Sequence, residues 1–281
     1  MNLVKSLFIM LTPIWLLIAL YQGIKGLMYT EYTYIFFGVI LSALPLLIFL
    51  SFIMLFRSLP RTSLHLLSVS TPSFLGYVLT FAFFLKNSNY DTIDAMIYSM
   101  SAFLLTLLYI YWYSQNGRKE SEIIEKGSEL PKFYVFDGDG EKINSAAIKG
   151  KSIVFFHRGN WCPLCMAQIN EVVKQYKKFA EKNISLIFIA PQSEKNSEAL
   201  AKKHGLDFKF YSDKNNKAAK KLGLVHKFGL PMGFQTLGYK TDSVYPTVIA
   251  IDENSSIIYS NQTNNYRLRP EINELLEVFD R

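Results

Sequence analysis

Two cysteines, Cys162 and Cys165, are the residues of this sequence best suited to redox chemistry, and the 281-residue chain has no others. They follow the apolar run Ile153–Phe156 and precede a stretch with helical periodicity. A spacing of three residues places both sulfur atoms on one side of a first helical turn. Unpaired amides at that turn stabilise a thiolate and lower its pKa, and the second thiol is near enough to resolve a mixed disulfide. The pattern therefore predicts a redox-active pair.

Two structural roles compete with redox chemistry for this pair. A zinc site needs about four ligands, whereas the sequence offers two cysteines and only four scattered histidines. The pair could also be two inert thiols in a core. We favour the redox role because a CxxC sequence at a strand-to-helix junction in a βαβ pattern is a specific signal. We accordingly expect no metal and no other cofactor.

Charged residues are distributed unevenly along the chain. Residues 1–113 hold five Lys/Arg and three Asp/Glu, and residues 114–281 hold the other 25 and 20. A helix that crosses a hydrocarbon core needs about 20 apolar residues. Residues 1–113 are therefore predicted to form a transmembrane domain of about four helices. The uncharged windows contain 19, 25, 24 and 23 residues and lie between Lys5 and Lys25, Glu31 and Arg57, Arg61 and Lys86, and Asp94 and Arg118.

Flanking Lys and Arg residues predict the orientation of these helices. With four spans, the amino end, the second loop and the segment after the fourth helix share one side, which carries five basic residues against two on the other. The positive-inside rule places the more basic side in the cytoplasm. We expect a multi-pass protein of a bacterial inner membrane with its second half on the cytoplasmic face. If the third window, near Leu66–Leu85, does not span, the second half lies outside.

The first half contains no cysteine, and no charged residue lies well inside a span. Thiol exchange across the bilayer would need intramembrane cysteines, and ion transfer would need intramembrane ionisable groups. We therefore interpret the helices as an anchor in membrane lipid or as a surface for a partner. The net charge of +7 comes mostly from a second half with mixed signs and no dense arginine block, which does not indicate nucleic-acid binding.

Residues 114–128 are polar and are predicted as a linker, and residues 129–281 alternate strand and helix patterns. This alternation indicates an α/β domain whose sheet is covered on both faces. The segment Phe228–Asp242 has three glycines and one proline and is expected to be a loop. Strands are expected at 133–136, 153–156, 184–190, 208–211, 244–252 and 257–259, and helices at 166–182, 197–204, 215–222 and 270–279.

Four segments of the second half resemble the redoxin (AhpC/TSA) branch of the thioredoxin superfamily, including its peroxiredoxin-like members. The resemblance covers roughly residues 129–281 and implies a thioredoxin-like fold with thiol redox chemistry. It says nothing about the transmembrane domain. The segments are Arg158-Gly-Asn-Trp-Cys-Pro-Leu-Cys165, Phe210–Asp213, Tyr245-Pro-Thr247 and Tyr266–Pro270.

The resemblance also implies roles for individual residues. Cys162 matches the attacking cysteine of thioredoxin-type sites, and Cys165 matches the resolving one. Pro246 stands where thioredoxins hold a cis-proline beside the disulfide, which leaves the preceding backbone free to pair with a substrate. We expect the substrate-binding residues to be Trp161, Pro163, Tyr245, Pro246 and Arg158.

The sequence departs from both family patterns. Phe156 stands where thioredoxins have a buried aspartate, so that proton acceptor is missing. Peroxiredoxins hold the peroxide with a threonine and an arginine, and alignment on the second cysteine puts Cys162 and Pro246 at those positions. Peroxide binding would then need Arg158 or an arginine of the Tyr266–Arg269 segment.

Three functions fit these observations. The favoured one is a membrane-anchored thiol–disulfide oxidoreductase in which Cys162, expected to have the lower pKa and the greater exposure, attacks and Cys165 resolves. Such an enzyme would act on a protein disulfide and take electrons from an unidentified thiol reductant. The second function is a peroxiredoxin-type peroxidase with an antioxidant role and a peroxide substrate. The third is a non-enzymatic sensor in which oxidation of the CxxC pair alters contacts of the membrane half.

Overall fold

The computed structural model describes residues 2–31, 33–205 and 208–280. Contacts divide these residues into two compact units. One unit comprises Leu3–Arg57 and Thr62–Gln115, and the other comprises Ser58–Arg61 and the chain from Asn116 onward. Each unit is described by itself.

The first unit consists of helices that are long and apolar enough to cross a membrane. Four such helices lie within the described residues, as the sequence predicts. The third window, the least apolar of the four, forms one of them. A π-helical turn, Tyr109–Tyr113, continues the last helix. The helices are α1 (Asn2–Tyr29), α2 (Thr33–Phe56), α3 (Leu67–Lys86) and α4 (Tyr90–Leu108).

Helices α2 and α3 pack through small residues. A Cβ atom on Gly76 of α3 would lie 2.5 Å from the carbonyl oxygen of Gly38 and 2.6 Å from the amide nitrogen of Ser42, both in α2. The Ser42 hydroxyl, buried in the bundle, lies 2.8 Å from the hydroxyl of Ser99 in α4. Close backbone approach and interhelical hydrogen bonds are how helices associate where lipid removes the hydrophobic driving force. This packing suits the predicted anchor.

The second unit is built on a seven-stranded sheet with strand order β2-β1-β5-β4-β3-β8-β9. A separate two-stranded sheet pairs β6 with β7. Each predicted strand is present within this set, and β2 and β6 are additional. The strands are β1 (Tyr134–Phe136), β2 (Lys142–Asn144), β3 (Ser152–Phe156), β4 (Ser185–Ala190), β5 (Lys209–Ser212), β6 (Val225–His226), β7 (Ser243–Val244), β8 (Thr247–Ile251) and β9 (Ile257–Asn261).

Strand β3 lies at the centre of this arrangement. It pairs in parallel with β4 on one side and antiparallel with β8 on the other. All five residues of β3 are buried, as expected for a strand with neighbours on both sides and helices on both faces. Strand β4 is parallel to β5, and β9 is antiparallel to β8. This is the thioredoxin-like arrangement that the sequence resemblance implies.

Helices cover both faces of the sheet, which confirms the predicted α/β architecture. One buried apolar cluster contains the cysteine pair with Phe155 and Leu275, and the other contains Phe156 and Leu222. Phe155 and Phe156 are adjacent in β3 and therefore enter opposite clusters, because successive strand residues point to opposite faces. The helices are α5 (Pro163–Lys174), α6 (Tyr176–Glu181), α7 (Glu194–His204), α8 (Lys217–Lys221) and α9 (Ile272–Glu277).

The helix expected at 166–182 is interrupted. Helix α5 ends at a C-cap residue, Gln175, with φ −106° and ψ 13°, and α6 begins at the next residue. Helix α5 also starts earlier than expected, because Pro163 takes its first position and Cys162 its N-cap. The apolar periodicity continues across Gln175, so it does not reveal the break.

Of residues 114–128, which were predicted as a linker, those from 116 onward are part of the second unit. The amide of Asn116 donates to the carbonyl oxygen of Asn264, and the amide of Ser121 donates to Gln262 Oε1 at 2.7 Å. Ile124 is fully buried among the residues on one face of the sheet. The segment was predicted as a linker because most of its residues are polar or charged. Composition alone does not reveal that one apolar residue, Ile124, is buried or that the backbone forms these hydrogen bonds.

The strand expected at 244–252 is interrupted at Tyr245 and Pro246, which separate β7 from β8. Proline has no backbone N–H and cannot donate to a strand ladder. Within the described residues no peptide bond is cis, so the expected cis bond at Pro246 is wrong for this structure. Pro246 is a trans proline immediately before β8.

Candidate functional site

The two cysteines lie where β3 leads into α5. Cys162 is the N-cap of the helix, and Pro163 is its first residue, a position that needs no N–H donor. The Cys165 amide donates a hydrogen bond to the sulfur of Cys162 at 3.3 Å. The two sulfur atoms are paired as a disulfide, with Cα atoms 5.3 Å apart. The predicted placement of the pair at a helix N-terminus is confirmed.

Exposure does not separate the two cysteines. Cys162 is 2% exposed and Cys165 is 1% exposed, so the predicted greater exposure of Cys162 is not seen in this disulfide form. Both side chains belong to the apolar cluster that also contains Trp161 and Met166. Any difference in their chemistry must therefore come from the hydrogen bonds and charges around each sulfur.

A tight turn connects β3 to the cysteine pair. Gly159 has φ 121°, a conformation that L side chains rarely adopt, and a Cβ atom there would lie 3.1 Å from the Trp161 ring. The amide of Asn160 donates to Gln192 Oε1 at 3.0 Å, and the Asn160 side chain donates to the carbonyl of Asn196 at 3.0 Å. These hydrogen bonds hold the turn against the segment that follows β4 and thereby fix the position at which α5 begins.

Arg158 and Trp161, two of the predicted substrate-binding residues, lie together in this turn. The Arg158 guanidinium is 4.6 Å from the centroid of the Trp161 ring and 5.8 Å from that of Tyr266. It also donates to the carbonyl oxygen of Gly229. The Trp161 ring lies 5.8 Å from the ring of Phe234, which belongs to the loop that was predicted from its glycines. These contacts place a cation and an aromatic surface next to the cysteines.

Tyr245 and Pro246 contact a different set of residues. The Tyr245 ring stacks on His226 with centroids 4.5 Å apart, and the Arg118 guanidinium lies 5.0 Å from the same ring. Arg118 donates to Thr247 Oγ1 at 2.9 Å and to the carbonyl of Pro246 at 3.4 Å. Burial lowers the pKa of Arg118 to about 10. Arg118 therefore supports the backbone where β8 begins, and the substrate-binding role of Tyr245 and Pro246 stays a prediction.

Arg269 makes the direct polar contact with the second cysteine. Its Nη2 atom lies 3.6 Å from Cys165 Sγ, and its Nη1 atom donates to Gln168 Oε1 at 3.4 Å. Its Nε atom donates to the carbonyl of Tyr266 at 3.1 Å. Sequence analysis identified the segment Tyr266–Arg269 as a possible source of an arginine but could not choose among its members.

Gln168 and Arg118 are further contributors that sequence analysis missed. Gln168 lies one turn after Cys165 in α5, so its position on the cysteine face follows from helical spacing once the helix start is known. Arg118 is 128 residues from Pro246 in sequence, and no local pattern links a polar segment to a strand so far along the chain.

His157 is a buried titratable group near the site. Its amide donates to the carbonyl of Ile189 at 2.9 Å. Burial, with a smaller contribution from the positive charge of Arg269, lowers the pKa of its imidazole to about 3. The imidazole is therefore neutral at neutral pH.

Comparison with known proteins places this site in a family. Residues 126–260 match the AhpC/TSA family. These matched residues form an AhpC/TSA domain. The match includes both cysteines and ends before Arg269, so the arginine at Cys165 lies outside the matched residues.

Relatives of this domain include proteins of two kinds. Peroxiredoxin Q of Gentiana triflora is 29% identical over 143 residues, which are 50% of this chain and 60% of the relative. Peroxiredoxin Q of Triticum aestivum is 32% identical over 115 residues, 40% of this chain and 53% of the relative. The thiol-disulfide oxidoreductase ResA of Bacillus thuringiensis subsp. konkukian is 29% identical over 107 residues, 38% and 62% of the two chains. The chain thus spans less than two thirds of each of these relatives.

The buried neutral imidazole of His157 predicts that the protein loses stability as the pH falls. Above an unfolded-state pKa of 6.5 the imidazole is neutral in both states and adds no pH dependence. Between that value and the folded-state pKa of about 3, only the unfolded chain binds the proton, so stability falls as the pH falls. From about pH 7 to about pH 5 this effect amounts to about 2 kcal/mol.

We expect His157→Gln to reduce the acid-induced loss by about that amount, measured by denaturant unfolding of the full chain in detergent with tryptophan fluorescence. His204→Gln, which changes a half-buried histidine at the end of α7, is the matched control and should change the loss less. Equal losses in the wild-type protein and the His157→Gln variant would contradict the assignment of a buried neutral imidazole.

Proposed function

We propose that this protein is a membrane-anchored thiol–disulfide oxidoreductase in which Cys162 attacks and Cys165 resolves. The observation that carries the proposal is the hydrogen bond from the Cys165 amide to the Cys162 sulfur at the first turn of α5. An amide at a helix N-terminus stabilises negative charge, so it favours the thiolate form of Cys162. The family of the domain and its similarity to a protein named as a thiol-disulfide oxidoreductase support this choice.

The reaction follows from the pairing of two thiols in one turn. The Cys162 thiolate attacks one sulfur of the substrate disulfide, the S–S bond of the substrate breaks, and the other substrate sulfur leaves as a thiolate. The Cys165 sulfur then attacks Cys162, which forms the internal disulfide and releases the second substrate sulfur. The substrate gains two electrons and two protons, and the cysteine pair is oxidised. A thiol reductant must return the two electrons before the next cycle. We propose that the substrate is a protein disulfide.

Peroxide reduction is the second candidate function. It is favoured by the similarity to two proteins named peroxiredoxin Q and by the buried Arg269 beside Cys165. In that case Cys165 would attack the peroxide oxygen, become a sulfenic acid and release water or an alcohol. Cys162 would then condense with the sulfenic acid. The threonine that peroxiredoxins place three residues before the attacking cysteine is Cys162 in this chain, which is why we favour disulfide chemistry.

Single cysteine variants distinguish the two reactions. In the proposed oxidoreductase, Cys165→Ser accumulates covalent complexes with protein substrates because release needs the second thiol, and Cys162→Ser loses nearly all activity. Non-reducing electrophoresis of cell extracts checks both outcomes, with the Cys162→Ser/Cys165→Ser double variant as control. A sulfenic acid that forms rapidly on Cys165 of the Cys162→Ser protein at micromolar peroxide, and that a dimedone-type probe captures, would contradict the proposal.

We propose further that the AhpC/TSA domain faces the cytoplasm. Four spans support this because an even number returns the chain to the side of its amino end. The basic residues that flank the spans support it because five of the seven lie on that side. With both cysteines buried, a thiol probe must report on an introduced residue instead of the native pair.

Introduced cysteines in the Cys162→Ser/Cys165→Ser background test this topology. Glu141→Cys lies on an exposed turn of the AhpC/TSA domain, and Ser88→Cys lies on the exposed connection between α3 and α4. A membrane-impermeant thiol probe on intact cells, or on spheroplasts if there is an outer membrane, should label Ser88→Cys and reach Glu141→Cys only after lysis. Labelling of Glu141→Cys without lysis would reverse the orientation.

A further inference from the structure

The guanidinium of Arg269 is buried among neutral acceptors. Arg269 is 8% exposed, and its polar partners are Cys165 Sγ, Gln168 Oε1 and the carbonyl of Tyr266. Within the described part of the chain no carboxylate lies within ion-pair distance of it. Taking a charge out of water is costly unless an opposite charge compensates it. The disulfide form supplies no such charge.

The other charged or titratable groups near Arg269 do not supply a compensating negative charge either. Burial and then the positive charge of Arg158 lower the pKa of Arg269 to about 9, and only the Tyr266 hydroxyl acts in the opposite direction. The buried imidazole of His157 is neutral. Phe156 occupies the position where thioredoxins carry a buried carboxylate. Reduction of the disulfide adds a thiol in direct contact with the guanidinium, that of Cys165, which can become an anion.

We propose that Arg269 is a positioning residue for the resolving step, in which it holds Cys165 as a thiolate while Cys162 is bonded to the substrate. The inference rests on the proposed function and adds to it the source of the second nucleophile. In thioredoxins a buried carboxylate accepts the proton of the second cysteine, whereas here a buried cation stabilises the anion directly. The negative charge of the thiolate in turn compensates the buried guanidinium.

The charge state matters most in the mixed disulfide. There Cys162 is bonded to the substrate, so Cys165 is the only cysteine of the chain that still titrates. Its thiolate attacks the Cys162 sulfur, the bond between Cys162 and the substrate breaks, and the electron pair leaves with the substrate sulfur, which takes a proton from water. No protein base is needed at this step, because Cys165 has already lost its proton.

The same guanidinium should make the dithiol a milder reductant. The reduced form gains a compensated charge that the disulfide form lacks, so Arg269 shifts the equilibrium towards the dithiol. Removal of the guanidinium should therefore lower the dithiol fraction in a given glutathione buffer. The two consequences, a low pKa of Cys165 and a displaced redox equilibrium, depend on the same contact.

The pKa of Cys165 can be measured in the full-length Cys162→Ser protein in detergent. This variant mimics the mixed disulfide because Cys162 cannot titrate, and the ultraviolet absorbance of the thiolate reports the charge of the remaining cysteine. The double serine variant supplies the baseline. We expect a pKa well below the ordinary cysteine value of about 8.5, although burial in apolar surroundings alone would raise it.

Substitution of Arg269 in that protein tests the contact. Arg269→Met should lower the thiolate-to-thiol ratio at neutral pH by at least about tenfold, which is one pKa unit, and Arg269→Lys should give an intermediate ratio. Lys174→Gln removes an exposed positive charge from the last turn of α5 and should leave the ratio unchanged. With Cys162 present, Arg269→Met should lower the equilibrium dithiol-to-disulfide ratio in glutathione by a similar factor.

Two results would overturn the inference. One is a pKa at or above about 8.5 for Cys165 in the Cys162→Ser protein, which decides the matter even if Arg269→Met does not fold. The other is a folded Arg269→Met protein with an unchanged thiolate ratio. Neither measurement depends on a substrate, so failure of the proposed activity and failure of this inference are distinguishable.

Discussion

The hydrogen bond from the Cys165 amide to the Cys162 sulfur defines the geometry on which the chemistry of this protein depends. It requires that the chain turn from a strand into a helix at Cys162, with the amide of the third helical residue, Cys165, pointing at the sulfur. The central position of β3 fixes the direction in which the chain enters α5, and the turn at Gly159 fixes where α5 begins. The sheet and its two apolar clusters thus fix the position of the first turn of α5, which carries both cysteines.

The polar and charged residues around this turn differ from those that thioredoxins and peroxiredoxins place around their cysteines. The buried acid of thioredoxins is replaced by Phe156, and the peroxide-binding threonine of peroxiredoxins by Cys162. Two arginines, Arg158 beside Trp161 and Arg269 beside Cys165, flank the sulfur pair instead. Such a site stabilises anionic sulfur by cations and amides, which suits a step in which thiolates attack and leave.

Local sequence patterns predicted the features that depend on short-range order. Apolar runs predicted the membrane-spanning helices and the buried strands, and the CxxC spacing predicted that the cysteines lie at a helix N-terminus, although the helix was expected to begin at residue 166 and begins at Pro163. Features set by distant parts of the chain were missed or could be assigned only to a segment. Arg118 reaches the start of β8 from a segment that resembles a linker, and Arg269 reaches Cys165 across 104 residues. Periodicity cannot reveal such contacts, because they depend on how the strands are ordered in the sheet.

The relative rate of disulfide and peroxide reduction decides which of the two reactions the cysteine pair catalyses. Full-length protein in detergent would be supplied with the same thiol reductant and with equal concentrations of a protein disulfide or of peroxide, and both turnover rates would be measured side by side. A thiol–disulfide oxidoreductase should turn over the disulfide faster. Catalytic turnover of peroxide that exceeds turnover of the disulfide would contradict the proposed function and would assign the site to a peroxidase.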